Sequence, residues 1–264
     1  MDRGSEKIIK QTLLEAYKLL EPWSKPHWHE RNYYEKVMRY AVRCCPDKDG
    51  SIADLGSGVG VLPLALRLMG YKVDGFEKYV FSDAESPMFK VADVSSLKEI
   101  WDKNGLDVFD YDILAVPGEN LKNKYDVVIN TAVIEHVKDP SLLLKNIHLL
   151  LKKGGYVITM TPNLTVFYKR LRFLFGLSPY WDVKDFFSLG ERGFTGHWRE
   201  YTPKELQWVH KQAGFNIIGV QNCDIYPLAD KKNPRNFLHL LVRYMSYPMP
   251  NSREANIVVG KKND

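Results

Sequence analysis

Ser51-Ile-Ala-Asp-Leu-Gly-Ser-Gly-Val-Gly60 is a short apolar strand that runs straight into a turn carrying three glycines. A residue without a Cβ tolerates left-handed backbone angles and lets the main chain come close to a ligand, so Gly56, Gly58 and Gly60 predict a molecule bound over this turn. Asp54 stands just ahead of the first glycine. Its carboxylate would repel a pyrophosphate and attract a ligand that carries positive charge. The dinucleotide fingerprint also needs a third glycine where this chain has Val61, so a dehydrogenase-type site is disfavoured.

Downstream, Pro63 opens a helix whose Leu62, Leu64, Ala65, Leu66, Leu68 and Met69 form a broad apolar face, and Gly70 is placed to end it. Tyr71-Lys-Val-Asp-Gly-Phe-Glu77 reads as the next strand. On these residues the chain resembles the class I S-adenosylmethionine-dependent methyltransferases, whose first motif, acidic-x-Gly-x-Gly-x-Gly, is matched at Asp54, Gly56, Gly58 and Gly60. The resemblance implies a Rossmann-like α/β fold: a seven-stranded, mostly parallel sheet with an antiparallel last strand, an N-terminal helical cap and a lid insertion. It also implies S-adenosyl-L-methionine as cofactor, whose ammonium and sulfonium suit Asp54, with Ser57 in the cradling turn. Glu77 would take the ribose hydroxyls, because a carboxylate accepts two hydrogen bonds from a vicinal diol.

Length and composition agree with one such domain. The chain has 264 residues, 45% of them hydrophobic, enough for a single α/β unit with additions. Residues 1–48 read as the helical cap, 51–163 and 214–262 as the core, and 164–213 as the lid with a closing helix. Three cysteines, two of them the adjacent Cys44 and Cys45, make no disulfide framework and show no metal-ligand spacing with the histidines, which points to a reducing, cytoplasmic setting and no metal. The N-terminus lacks an apolar signal region, and no apolar run is long enough to span a bilayer. A net charge of +5, from 37 basic and 32 acidic residues, gives no reason to expect a nucleic-acid partner.

In the leader, Ile9, Leu13, Tyr17 and Leu20 recur at helical spacing, and Tyr34, Val37, Met38, Ala41 and Cys45 do the same. Between these helices, Trp23-Ser-Lys-Pro-His-Trp-His-Glu-Arg31 is rich in aromatics and histidine, and the resemblance makes Arg31 a candidate for the cofactor carboxylate. Two segments compete for the third strand: Phe89–Asp93 and Asp107–Ile113. The second is preferred, because Ser95 to Gly105 has the character of a helix leading into it. Residues 78–94 would then be an insertion, and Asp112 with Ile113 would meet the adenine; on the first choice Asp93 takes that role.

Tyr125-Asp-Val-Val-Ile-Asn130 is a β-branched fourth strand, and Thr131-Ala-Val-Ile-Glu-His-Val137 resembles the family's motif after it. Ligands of open α/β sheets bind beyond the carboxyl ends of the strands, so Asn130 and Thr131 should face the methionine moiety and His136 the acceptor. Asp139-Pro140 caps a helix through Leu151, closed by Lys152-Lys-Gly-Gly155 before the strand Tyr156–Thr161. Thr202 and Glu205 form a capping box around Pro203, and Gly214 ends that helix. Strands follow at Phe215–Val220 and Ala255–Val259, and His197 would project from the lid over the cleft.

The resemblance implies in-line transfer of the sulfonium methyl to a nucleophile held behind it. A hydroxyl acceptor keeps its proton near neutral pH, so His136 and His197 are the candidate bases. The segment from Pro162 to His197 is similar to that of enzymes methylating sugars, glycan intermediates and other small metabolites. The alternatives are a quinone or lipid-linked acceptor at a membrane surface, and a non-catalytic protein that binds the cofactor. Peripheral membrane contact would use the basic and aromatic segments Phe167–Phe175, with Lys169, Arg170 and Arg172 toward anionic lipid, and Asn236–Tyr244.

Overall fold

Apolar alternation along the central strands sets the architecture. In β1 (Ser51–Leu55), Ile52 faces one side while Ala53 and Leu55 face the other; in β4 (Tyr125–Thr131), Val127 and Ile129 join Ile52, and Val128 joins Ala53. Residues two apart share a face of a strand, and strands apolar on both faces need helices on both sides. The computed structural model describes residues 3–21, 23–78, 94–180, 182–187, 196–225 and 244–263. The remaining strands are β2 (Lys72–Glu77), β3 (Asp107–Asp110), β5 (Leu151–Pro162), β6 (Phe215–Cys223) and β7 (Ala255–Lys262). They form one seven-stranded sheet in the order β3-β2-β1-β4-β5-β7-β6, parallel except for β7, which runs antiparallel between β5 and β6. Strand order reverses between β1 and β4, and a ligand crevice opens at that point in sheets of this kind.

Four helices cover the first face: α1 (Arg3–Leu19), α2 (Arg31–Cys44), α3 (Val61–Leu68) and α4 (Val94–Lys103). Their buried Ile9, Leu13, Met38, Leu62 and Trp101 share one core with Ile52, Ile129 and Met160. Full burial of side chains of this size is worth about 1.5–3 kcal/mol each, which holds the leader helices against the sheet. On the opposite face, Leu143 and Ile147 of α5 (Pro140–Leu150) and Leu206 of α8 (Pro203–Gln212) pack with Ala53, Val128 and Val157. Both helices start where their caps predict. Asp139 accepts from the Leu142 N–H at 3.0 Å, and Thr202 and Glu205 exchange the two bonds of a capping box.

Three expectations need correction. β3 occupies the preferred segment but ends at Asp110, so Asp112 and Ile113 lie in the turn beyond it; the Asp112 carboxylate accepts from the Leu114 N–H at 2.9 Å, closing that turn. The competing segment, Phe89–Asp93, lies outside the described residues. Lys152–Gly155 does not merely close α5: Leu151 already pairs with Tyr125, and the chain bulges until Tyr156 meets Val127. Finally, α6 (Phe167–Leu174), which precedes the short α7 (Val183–Phe187), turns one of its three basic residues inward and leaves Arg172 exposed. Lys169 is buried against Glu200, Arg170 donates to the carbonyls of Thr165 and Pro250, and Arg172 donates to that of Ser178. Of the second basic and aromatic segment, residues 236–243 lie outside the described residues, as do 188–195 of the lid. Among the described residues no helix is long and apolar enough to cross a membrane.

Candidate active site

The glycine turn sits at the carboxyl end of β1 with Gly56, Gly58 and Gly60 at φ of 74°, 56° and 89°. Only glycine adopts these angles without strain. Packing adds a second constraint, since a Cβ on Gly56 would stand 2.4 Å from a methyl of Val133, and one on Gly60 2.7 Å from Trp101 Nε1. The N–H groups of Gly56 and Ser57 donate to the Phe76 carbonyl, at 2.8 and 3.2 Å. Gly58 and Lys78 donate their N–H groups to the two oxygens of Glu77, at 2.8 and 2.9 Å. The end of β2 and the turn therefore form one rigid unit.

Asp54 is buried, and its carboxyl is pushed well above the usual carboxylate range by burial and by the charge of Glu77. Asp54 Oδ1, Ser57 Oγ and Asn130 Oδ1 are buried without a hydrogen-bond partner. Buried polar atoms are costly unless paired, and these three fit a polar ligand carrying positive charge. The Asn130 amide donates to Thr159 Oγ1 at 2.9 Å, which in turn meets Nε2 of the buried His210 at 2.7 Å. Burial lowers the His210 pKa to about 4. Thr131 is buried beside Asn130 at the end of β4. Asp112 faces Lys78 at 2.6 Å, and Ile113 packs in the same core cluster as Phe76. Arg31 stacks its guanidinium on Trp28, 4.5 Å from the ring centre.

His136 and His197, far apart in sequence, are brought together. Their ring centres are 4.8 Å apart at an interplanar angle of 84°. His136 Nδ1 lies 3.2 Å from the Gly196 carbonyl, while Trp198 N–H donates to the Glu135 carbonyl at 2.7 Å. These bonds lay the segment from Gly196 onto the turn after β4. His197 Nδ1 is 2.9 Å from Glu200 Oε1.

Sequence reasoning missed two carboxylates here. Glu135 is fully buried, accepts from Thr161 Oγ1 at 2.8 Å, and has its pKa pushed up to about 7 by burial. The only sequence signal was its place beside His136 in the motif after β4. For Glu200 burial acts upward, but hydrogen bonds from His197 and Lys169 prevail and hold the pKa below the ordinary value. The expectation that no metal-ligating set would form also needs revision. Glu135, His136 and His197 each offer a donor atom, all within 4.8 Å of one another, because the lid segment folds back onto residue 135.

The strand-order reversal between β1 and β4, a glycine turn led by a buried acid, and an acid closing β2 define a class I S-adenosylmethionine-dependent methyltransferase. The chain belongs to the methyltransferase domain family, whose match spans residues 27–220. It is 29% identical over 197 residues to the ubiquinone biosynthesis O-methyltransferase of Parvibaculum lavamentivorans, covering 72% of this chain and 68% of that protein. In fold it is similar to a chain of the complex between the Haloferax volcanii Trm112 methyltransferase activator and a methyltransferase, with a TM-score of 0.60 at 15% identity over 95% of each chain. It is also similar to phosphoethanolamine N-methyltransferase 2 of Haemonchus contortus in complex with S-adenosyl-L-methionine, with a TM-score of 0.53 at 16% identity, covering 87% of this chain and 52% of that one. The protein is an enzyme, and S-adenosylmethionine is its cofactor.

Proposed function

We propose that this methyltransferase methylates a ring hydroxyl of a quinol or catechol-type acceptor, with His197 as the base. The observation that carries the base assignment is the His136–His197 pair beside the cofactor-binding end of the sheet, with Nδ1 of His197 on a carboxylate. The relatives' name favours the quinone alternative over the sugar or glycan acceptor expected from sequence.

When bound, the cofactor supplies an electrophilic methyl on a sulfonium. Asp54 would answer its positive charge, Glu77 would take the ribose hydroxyls, and Asn130 and Thr131 would border the methionine end. Ser57 and the three glycines shape the turn over it, Asp112 and Ile113 meet the adenine, and Arg31 remains the candidate for the carboxylate. His197 would accept the hydroxyl proton as the acceptor oxygen takes the methyl, the C–S bonding pair leaving with the cofactor's sulfur. Burial around Glu135 excludes water and strengthens each electrostatic contact.

The test is transfer of labelled methyl to a catechol bearing a short prenyl chain, run beside a simple sugar. Label in the catechol is expected; label only in the sugar overturns the acceptor assignment. His197→Ala should lower turnover about 10²–10⁴-fold and leave adenosylhomocysteine affinity unchanged. Full turnover in His197→Ala ends the base assignment. Loss of transfer with a chelator would instead give Glu135, His136 and His197 to a cation.

A further inference from the structure

His197 does not stand alone: it is the first link of a buried chain that ends on α6. His197 Nδ1 meets Glu200 Oε1 at 2.9 Å, and the other oxygen of Glu200 accepts a hydrogen bond from Lys169 Nζ. The side chains of Lys169 and Glu200 are each only 9% exposed, and that of His197 is 17% exposed. Three charged or titratable side chains from two separate segments have thus been withdrawn from water in a row. A buried ion pair of this kind is weak support for stability, since two apolar residues often serve as well. Its direction, by contrast, has a chemical consequence. An ammonium only donates and an ionised carboxylate only accepts, so the row fixes the proton of neutral His197 on Nδ1 and leaves Nε2 as the basic nitrogen.

We propose that Glu200 is the positioning residue for His197, setting its tautomer and ring orientation, and that Lys169 holds Glu200 in that role. The helix α6 is then part of the catalytic apparatus through Lys169. The proposal rests on the reading of His197 as the base, and its test separates the two.

The readout that needs no acceptor is the ring ¹⁵N spectrum of His197 in the full chain, assigned by its disappearance in His197→Ala. The native protein should show the Nδ1–H tautomer, and Glu200→Gln, whose amide both donates and accepts, should show the other form or a mixture. An unchanged tautomer in Glu200→Gln overturns the proposal. With the prenylated catechol as acceptor, Glu200→Gln should lower kcat, by up to about the 10⁴-fold seen when the orienting carboxylate of a base is made an amide. KM for S-adenosylmethionine should not move. In a His197→Ala background the same substitution should cost nothing further, because residues acting as one unit are not additive. A second full loss in that background sinks the proposal. Lys169→Met alone leaves a buried charge and risks the fold, so Lys169→Met/Glu200→Gln is the companion variant. It should fold, bind adenosylhomocysteine as the native chain does, and share the low kcat; native kcat in that variant refutes the role of the pair. If His197→Ala itself keeps full turnover, the base assignment falls, and the tautomer measurement still judges Glu200.

Discussion

Asp54, Gly56, Gly58 and Glu77 come from one run of strand, turn, helix and strand, and main-chain hydrogen bonds inside that run hold them. Glu135, His136, His197 and Glu200 come from two segments about sixty residues apart, joined where Gly196 and Trp198 bond to the turn after β4. The cofactor end can therefore form as soon as β1 pairs with β2. The acceptor end needs the lid segment, α6 and α8 in place as well. On the proposed function a proton must leave from one defined atom at the second end, and there the protein adds buried charge to the backbone bonds.

The two ends should respond differently to perturbation. The largest effect concerns Glu135. Burial raises its pKa from 4.5 to about 7. Between those values the unfolded chain has released a proton that the folded chain keeps, so this group makes stability fall as pH rises, by on the order of 3 kcal/mol. Glu135→Gln should flatten that fall in urea titrations on either side of the window; an unchanged slope would mean that Glu135 does not carry it. Next, Gly56→Ala places a methyl against Val133 in a left-handed turn, at a cost of about 2 kcal/mol or more. Val133 precedes Glu135, so this change tests whether the two ends are coupled: loss of turnover at saturating cofactor would show that they are. Asp54→Asn should weaken cofactor affinity about tenfold in calorimetry, as expected for a lost hydrogen bond to a charged group, with turnover at saturation preserved. A fall in turnover instead would break the division of labour. Smallest is Thr202→Ala, which removes the α8 cap for about 1 kcal/mol of stability. By melting and kinetic assay it should disturb turnover more than cofactor affinity, since Glu200 lies two residues away.

Much of this was legible in the chain itself. The motif from Asp54 to Gly60 led to the turn, and Asp139-Pro140 and Thr202–Glu205 marked helix starts that the structure keeps. Illegible parts share one property. The basic face of α6 has the same periodicity whether it meets lipid, solvent or a buried carboxylate, and only the position of Glu200 decides that Lys169 turns inward. Glu135 reads as an ordinary polar residue beside a histidine, and its burial comes from Thr161 of β5 and the segment at Trp198. The early end of β3 follows from the bond between Asp112 and Leu114, a local feature hidden inside an alternating pattern.

Sequence alone determined the glycine turn, the acid ahead of it and the helix caps, because each depends on groups within hydrogen-bonding reach along the chain. Tertiary structure alone decided which histidine faces which carboxylate, because burial and charge pairing are properties of the space that distant segments enclose.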